Sequence, residues 1–233
     1  MSGLARGIVR IPTRGDGDNC FLIEEDDGLT LVDVGWKNAP TVIRQAVEAA
    51  GRTLTDISRI VITHAHPDHV RGLAELVART GGADVFIHEL EERWLTAGRV
   101  PRHGRSGALG RAIDHLPLLH WQPVAATRTV TGGESIGSLR VIHTPGHSPG
   151  HIVLLHEPTR TLLVGDAVFH RSGLALGPAA LAADPAARPA SLLRMPRDVH
   201  AVGFAHGQPL SGERISAFHD FHQAIAAGEA RHA

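Results

Sequence analysis

The stretch VITHAHPDHV, residues 61–70, places three histidines and an aspartate within six residues, directly after an apolar β-branched run. Neutral imidazole and carboxylate are the side chains that hold zinc, with iron or manganese as alternatives. His64 and His66 stand two apart at the end of a strand, so both side chains leave an extended backbone on the same side. Asp68 and His69 then open a helix, where aspartate is also a good first-turn residue. The plainer reading is a loop with a helix-start aspartate and solvated histidines, in a chain that carries seventeen histidines in all. Remote partners separate the two readings. Three more apolar runs end in a ligand-type residue beside glycine or proline: VIHTPGHSPGH presents His147, LLVGDAVF presents Asp166 and VGFAHG presents His206. Core packing is a poor account of them, because isolated buried imidazoles and carboxylates are costly.

Such residues need strands to carry them. GIVRIPT, CFLIEE and LTLVDVG read as a hairpin meander. APTVIRQAVEAAG reads as a helix, with Val42, Ala46, Val47 and Ala50 near helical spacing and Gly51 closing it. ISRIVITH is a buried strand, and DHVRGLAELVART one helix with Val70, Leu73, Ala74 and Val77 on a single face. ADVFIH, ATRTV, SLRVIHT, HIVLLHE, TRTLLVGD and AVGFAH follow as strands, and SGERISAFHDFHQAIAA as a last helix. That helix turns Ile215, Phe218, Phe221 and Ile225 inward, with His219 and His222 flanking the apolar face. Strands then helices, twice, predict an α/β protein of two packed mixed sheets with helices on both outer faces. One domain spans 1–233, with a charged, Gly-punctuated helical excursion at about 89–121 laid over it like a lid.

Composition narrows the function. A formal net charge of −1 provides no field for nucleic acid or an anionic membrane, so the expected partner is a small-molecule substrate. Cys20 is the single cysteine, so no intrachain disulfide forms and nothing indicates an oxidising compartment. The first residues carry no apolar signal core, and no run approaches the roughly 18 apolar residues that span a bilayer. A soluble cytoplasmic protein is expected. Tyrosine is absent, which removes phenol as a catalytic donor.

Taken in order, Asp33 in LVDVG, THAHPDH, His147, Asp166 and His206 resemble the metallo-β-lactamase-fold superfamily. The similarity is strongest to the branch with hydroxyacylglutathione hydrolase (glyoxalase II) and the quorum-quenching lactonases. The resemblance implies an αββα four-layer sandwich. It implies that His64, His66 and His147 hold one metal, that Asp68, His69 and His206 hold a second, and that Asp166 bridges both. Asp33 would orient the metal loop through a hydrogen bond. Two zinc ions, or iron or manganese, would make the chain a dinuclear metal-dependent hydrolase. A bridging hydroxide would attack the carbonyl of a small ester, lactone or thioester, with Asp68 as the catalytic residue that orients it and takes its proton.

Departures refine this expectation. The true β-lactamases of the superfamily lack the bridging aspartate that Asp166 supplies here. Phe169 stands where the lactonases carry a tyrosine, which argues against acyl-homoserine lactones. One lysine and a single helix after the last ligand argue against a glutathione substrate. Phe169, His170 and Arg171 follow the bridging aspartate and are candidate substrate-binding residues. In the excursion, Arg99, Arg102, His103 and Arg105 either meet an anionic group or are solvated. Trp94, Leu95, Leu116, Leu118, Leu119 and Trp121 either line an apolar pocket or anchor the excursion. His143 and His151, around His147, read as structural. Two alternatives share the fold. In a mononuclear iron enzyme of the persulfide-dioxygenase type, Asp68, His69 and His206 would hold no metal; the other is a phosphodiesterase. A binding module that had lost its chemistry would be expected to lack a ligand, and this chain keeps seven.

Overall fold

A computed structural model of the chain describes residues 2–15, 17–102, 104–114 and 116–228. Strands β1 (Ser2–Ala5), β2 (Ile8–Pro12), β3 (Asn19–Glu25), β4 (Gly28–Val32), β5 (Ile57–Val61), β6 (Asp84–His88) and β7 (Arg128–Val130) form one sheet in that order. Pairing is antiparallel from β1 to β4 and parallel from β4 to β7. Next come β8 (Ser135–Ile136), β9 (Leu139–His143), β10 (Ile152–His156) and β11 (Thr161–Leu163). A small ribbon, β12 (Phe169–His170) with β13 (Leu174–Ala175), precedes β14 (Ala201–Gly203) and β15 (Leu210–Ser211). The second sheet runs β15-β14-β11-β10-β9-β8, antiparallel except where β11 meets β14. The helices are α1 (Ala39–Ala49), α2 (Pro67–Val70), α3 (Leu73–Thr80), α4 (Glu92–Ala97), α5 (Ala108–Asp114), α6 (Arg188–Leu192) and α7 (Ser216–Ala226).

The strands show why four layers form. Every residue of β10 is buried, because both of its faces are covered. Ile152 and Leu154 join Phe21, Ile23, Val32 and Val61 of the first sheet in a core between the sheets. The alternate residues Val153 and Leu155 pack outward with Leu192, Phe218 and Phe221, from α6 and α7. On the opposite outer face, Leu22, Leu31 and Ile60 pack with Ile43, Val47, Leu73 and Leu76, from α1 and α3. The αββα sandwich expected from the strand–helix order is the observed architecture.

Local departures have physical causes. The helix expected over 68–80 is broken into α2 and α3 at Arg71–Gly72. Here the chain presses on the start of α1: Gly72 donates to Gly35 O at 3.1 Å, and a Cβ at Gly72 would meet the Pro40 ring at 2.8 Å. The break rotates the buried face of α3 to Leu73, Leu76 and Thr80, leaving Ala74 and Val77 only half-buried. Ala50 lies beyond α1 and is exposed. On α7, His219 is exposed but His222 is 2% exposed and belongs to the buried face rather than its flank. Within 89–121, Trp94, Leu95 and Trp121 anchor the segment in the α1/α3 core, while Leu116 and Leu118 are exposed. Among the described residues no helix is long and apolar enough to cross a membrane.

The same turn brings His69 to its place, since Val34 and Gly35 donate to His69 O at 2.9 and 3.1 Å. Gly72→Val should therefore destabilise the protein by about 1–3 kcal/mol through overpacking against Pro40. The check is a urea midpoint shifted downward at unchanged slope.

Candidate metal centre

Loops at the C-terminal ends of strands from both sheets converge at one rim of the sandwich. Asp33 follows β4, and His64, His66, Asp68 and His69 follow β5. His147, Asp166 and His206 follow β9, β11 and β14 of the second sheet. His147 Nε2 lies 3.1 Å from His64 Nε2 and 2.9 Å from His66 Nδ1. His206 Nε2 lies 3.3 Å from Asp68 Oδ2 and 3.2 Å from Asp166 Oδ1, and His69 Nε2 lies 3.3 Å from Asp166 Oδ1. These are two groups, His64/His66/His147 and Asp68/His69/Asp166/His206, with ligand atoms within 4.8 Å of one another in each. Asp166, of the second group, also reaches toward the first: while Oδ1 faces His69 and His206, Oδ2 lies 3.4 Å from His147 Nε2.

Hydrogen bonds around the rings fix which nitrogen faces inward. Thr63 Oγ1 donates to Asp33 Oδ2 and accepts from His64 Nδ1, leaving His64 Nε2 as the inward lone pair. Asp33 Oδ2 also accepts from His69 Nδ1 at 2.8 Å, and its Oδ1 from Thr63 N at 2.8 Å. Asp33 itself stands at φ 59°, a left-handed conformation that aspartate tolerates. Asp18, which also accepts from Trp36 Nε1, plays the equivalent part for His206, with Oδ1 2.9 Å from Nδ1. His66 is backed by the Trp94 ring instead, with centroids 6.3 Å apart.

Charge and orphaned atoms test whether metal suits this arrangement. Burial pushes His64 and His66 well below the usual imidazole range and His147 down to about 4, so all three are neutral donors at pH 7. Burial also works against charge on Asp166, but His206, His69 and His147 hold its carboxyl well below the ordinary value. His69 behaves oppositely: burial opposes its protonation, yet Asp33, Asp166 and Asp68 outweigh burial and raise its pKa. The second group thus offers two carboxylates and two imidazoles, a donor set suited to a divalent ion. His69 Nε2 and Asp166 Oδ1 are buried with no hydrogen-bond partner among the described residues. A tetrahedral ion with zinc–nitrogen bonds of about 2.0–2.1 Å sets its nitrogens about 3.3 Å apart, close to the spacing of the histidine trio. The residues present fit two divalent ions.

Three residues outside the ligand set hold this site together, and two of them, Glu91 and Asp18, gave no sign in the sequence. Glu91, fully buried, accepts from Ala65 N at 2.5 Å, from Gly150 N at 2.9 Å and from the Ser148 hydroxyl. It ties the HAH loop to the His147 loop, and burial pushes its carboxyl up to about 7. His151 Nε2 accepts from the Asp166 backbone N–H at 3.0 Å and its Nδ1 meets Thr144 Oγ1 at 2.8 Å, which sets the turn carrying Asp166. Asp18 is the third. Glu91 sits in the charged run ELEER and Asp18 in a Gly/Asp turn, where a carboxylate gives no local sign of burial. The histidine beside a ligand turn, His151, was visible as structural.

The candidate substrate residues divide. A cavity of about 450 Å³ opens over the metal groups, and Phe169 and Arg171 line it. Phe169 stacks on His206 with centroids 5.0 Å apart and planes at 9°. His170 is turned away by strand alternation; it does not line the cavity, and its Nδ1 bonds Gln208 O at 2.6 Å. In the excursion, Arg105 is buried against Asp114 at 2.9 and 3.1 Å, Arg99 and Arg102 are exposed, and His103 lies outside the described residues.

Two substitutions separate the supports from the ligands. Asp33→Asn keeps shape and backbone preference but meets the His69 Nδ1–H with an amide. It should lower affinity for the second ion about 10–100-fold while the histidine trio still binds. Glu91→Gln removes one acceptor facing three donors. It should weaken the trio's ion about 10–100-fold, and lower the stability of the metal-free protein by about 1–3 kcal/mol. Titration against a competing chelator and urea unfolding check both.

Comparison with known proteins follows the geometry. YobT of Bacillus subtilis (strain 168), an uncharacterised protein, is 35% identical over 164 residues, covering 68% of this chain and 65% of YobT. The hydroxyacylglutathione hydrolase of Acidiphilium cryptum (strain JF-5) is 30% identical over 162 residues, 70% of this chain and 53% of that enzyme. The chain therefore spans somewhat less than two thirds of the length of these relatives. The crystal structure of TTHA1623 in a di-iron-bound form superposes with a TM-score of 0.66 at 26% identity, covering 87% of this chain and 94% of that one. The sequence profile of the metallo-beta-lactamase superfamily matches residues 13–216, and the chain belongs to that superfamily.

Proposed function

We propose that this protein is a dinuclear metal-dependent hydrolase acting on the carbonyl of a small ester, lactone or thioester. The observation that carries the reading is Asp166, whose two oxygens face two different ligand groups, one of three histidines and one rich in carboxylate. When bound there, a pair of divalent ions polarises a carbonyl and lowers the pKa of water to about 7, making it nucleophilic at neutral pH. The chain's own groups do the rest. Asp68 is the one ligand residue only half-buried, its side chain 24% exposed beside the cavity, so its carboxylate can hold and accept a proton from water entering there. Asp33 and Asp18 keep the Nδ1 protons of His69 and His206 turned outward, so the inward nitrogens stay available as donors. Phe169 contributes shape and no proton. The likeness to a hydroxyacylglutathione hydrolase supports a carbonyl or thioester substrate, and the di-iron neighbour makes iron the metal to test against zinc.

Elemental analysis of protein purified without chelators should return about two zinc per chain. His66→Ala should lose zinc along with all turnover of aryl esters, lactones and thioesters. Asp68→Asn should reduce kcat about 10²–10⁴-fold. A single iron per chain with oxygen consumption, or no uptake of metal on reconstitution, would overturn the reading.

A further inference from the structure

The cavity over the metal groups is walled by apolar side chains that serve no core. Trp36, Ile113, Leu119, Phe169, Pro178 and Leu181 line it, yet none belongs to the three clusters that hold the layers together. Partly buried apolar surface facing a cavity beside a reactive centre is the usual form of a small-molecule site. Two chain segments build these walls and brace each other. Ser106 donates to Ala182 O at 2.8 Å, and a Cβ at Gly110 would meet Ala180 O at 2.5 Å, so α5 sits directly on the 179–182 turn. Arg188, 3% exposed, donates to Leu176 O at 2.6 Å and Gly177 O at 3.0 Å from behind. Gly177 stands at φ +77° with its absent Cβ 2.5 Å from the Phe169 ring, so that wall leaves no room for a side chain.

The charges in the walls decide what kind of group fits. Arg105 reaches the cavity with its Nε on the buried Asp114 carboxylate and its Nη1 3.4 Å from Leu181 O, so its charge is paired. Arg171 stands at the mouth with its side chain 62% exposed, 3.9 Å from Asp18. Asp68 and Asp166 are engaged at the metal groups. Of the charged residues among the described lining, then, Arg105 is paired, Asp68 and Asp166 sit with the ligand groups and Arg171 is largely exposed, while Ile113, Leu119 and Leu181 supply apolar surface.

We propose that this cavity selects carbonyl substrates bearing a neutral apolar chain or ring, seated between Ile113, Leu119, Leu181 and Phe169. This rests on the hydrolase reading for the chemistry, but binding in the cavity is separable from it. A charged chain of equal length loses its hydration there with no partner in return.

The test uses metal-loaded protein and p-nitrophenyl esters with acetyl, butyryl, hexanoyl, octanoyl and succinyl groups. The expected result is a kcat/KM that rises about fourfold per methylene buried, with the anionic succinyl ester well below butyryl. Leu119→Asp and Leu181→Asp should each flatten the series, bringing the octanoyl-to-acetyl ratio toward one with metal content unchanged. A flat or falling series in the unaltered protein, or preference for succinyl, overturns the proposal. In parallel, calorimetry on metal-free protein compares octanamide with acetamide. Octanamide bound more tightly, and weakened by Leu119→Asp, supports the pocket. Equal affinities overturn it. If no ester is turned over by protein carrying two metals, the hydrolase reading fails by itself, and the amide comparison still decides the pocket.

Discussion

Three imidazoles meet at one buried point, with His147 Nε2 3.1 Å from His64 Nε2 and 2.9 Å from His66 Nδ1, an arrangement that suits a cation among neutral donors. Beside them Asp166 is buried among His206, His69 and His147, and Asp33 and Asp18 press on the outer nitrogens of His69 and His206. Without cations this rim is a concentration of strain in charge and desolvation, since each unsatisfied buried polar atom costs about 1–3 kcal/mol. The rest of the molecule is arranged so that the cost is tolerated and the geometry kept. Metal binding would then return part of it as stability.

The scaffold meets that demand by joining its two sheets beneath the site. One sheet carries Asp33 and the HAHPDH loop, the other His147, Asp166 and His206, so their relative position depends on how the sheets are clamped. Ile152 donates to Thr63 O at 3.0 Å, linking β10 to the residue before His64. Asn19 donates to Phe204 O and Gly207 O at 2.9 and 2.8 Å, with Arg10 bonded to its Oδ1 at 2.7 Å, so both sides of His206 are tied to the first sheet. Glu91 does the same between the HAH and His147 loops. Buried polar groups of this kind position more than they stabilise, because their hydrogen bonds replace bonds to water.

The proposed substrate cavity is built elsewhere, on segments largely outside the three apolar clusters. The walls over the ligand groups include Arg105, Ile113 and Leu119 from one segment and Phe169, Pro178 and Leu181 from another, all outside the three apolar clusters. Such segments can vary while the rim is preserved, which is how one fold supports many substrates.

The layer order, the strands and the residues that meet at the rim were legible because each has a local signature. A continuous apolar run, buried on both faces, ends in His or Asp beside Gly or Pro, as at Val61–His66 and Leu162–Asp166. The break at Gly72 was not legible, since Val70, Leu73, Ala74 and Val77 keep helical spacing and only contact with Pro40 interrupts them. Nor was the burial of His222, or the turning away of His170, which depends on where a two-residue strand begins. Glu91, Asp18 and Asn19 escaped because their partners lie far along the chain; Glu91 meets Gly150 across 59 residues and Asn19 meets Gly207 across 188. Alone, the sequence determined which residues are able to hold metal and which strands end in them, because residue type and period are local properties. Tertiary structure alone decided what braces those ligands and what shape stands over them, because burial and long-range hydrogen bonds exist only once the two sheets have closed.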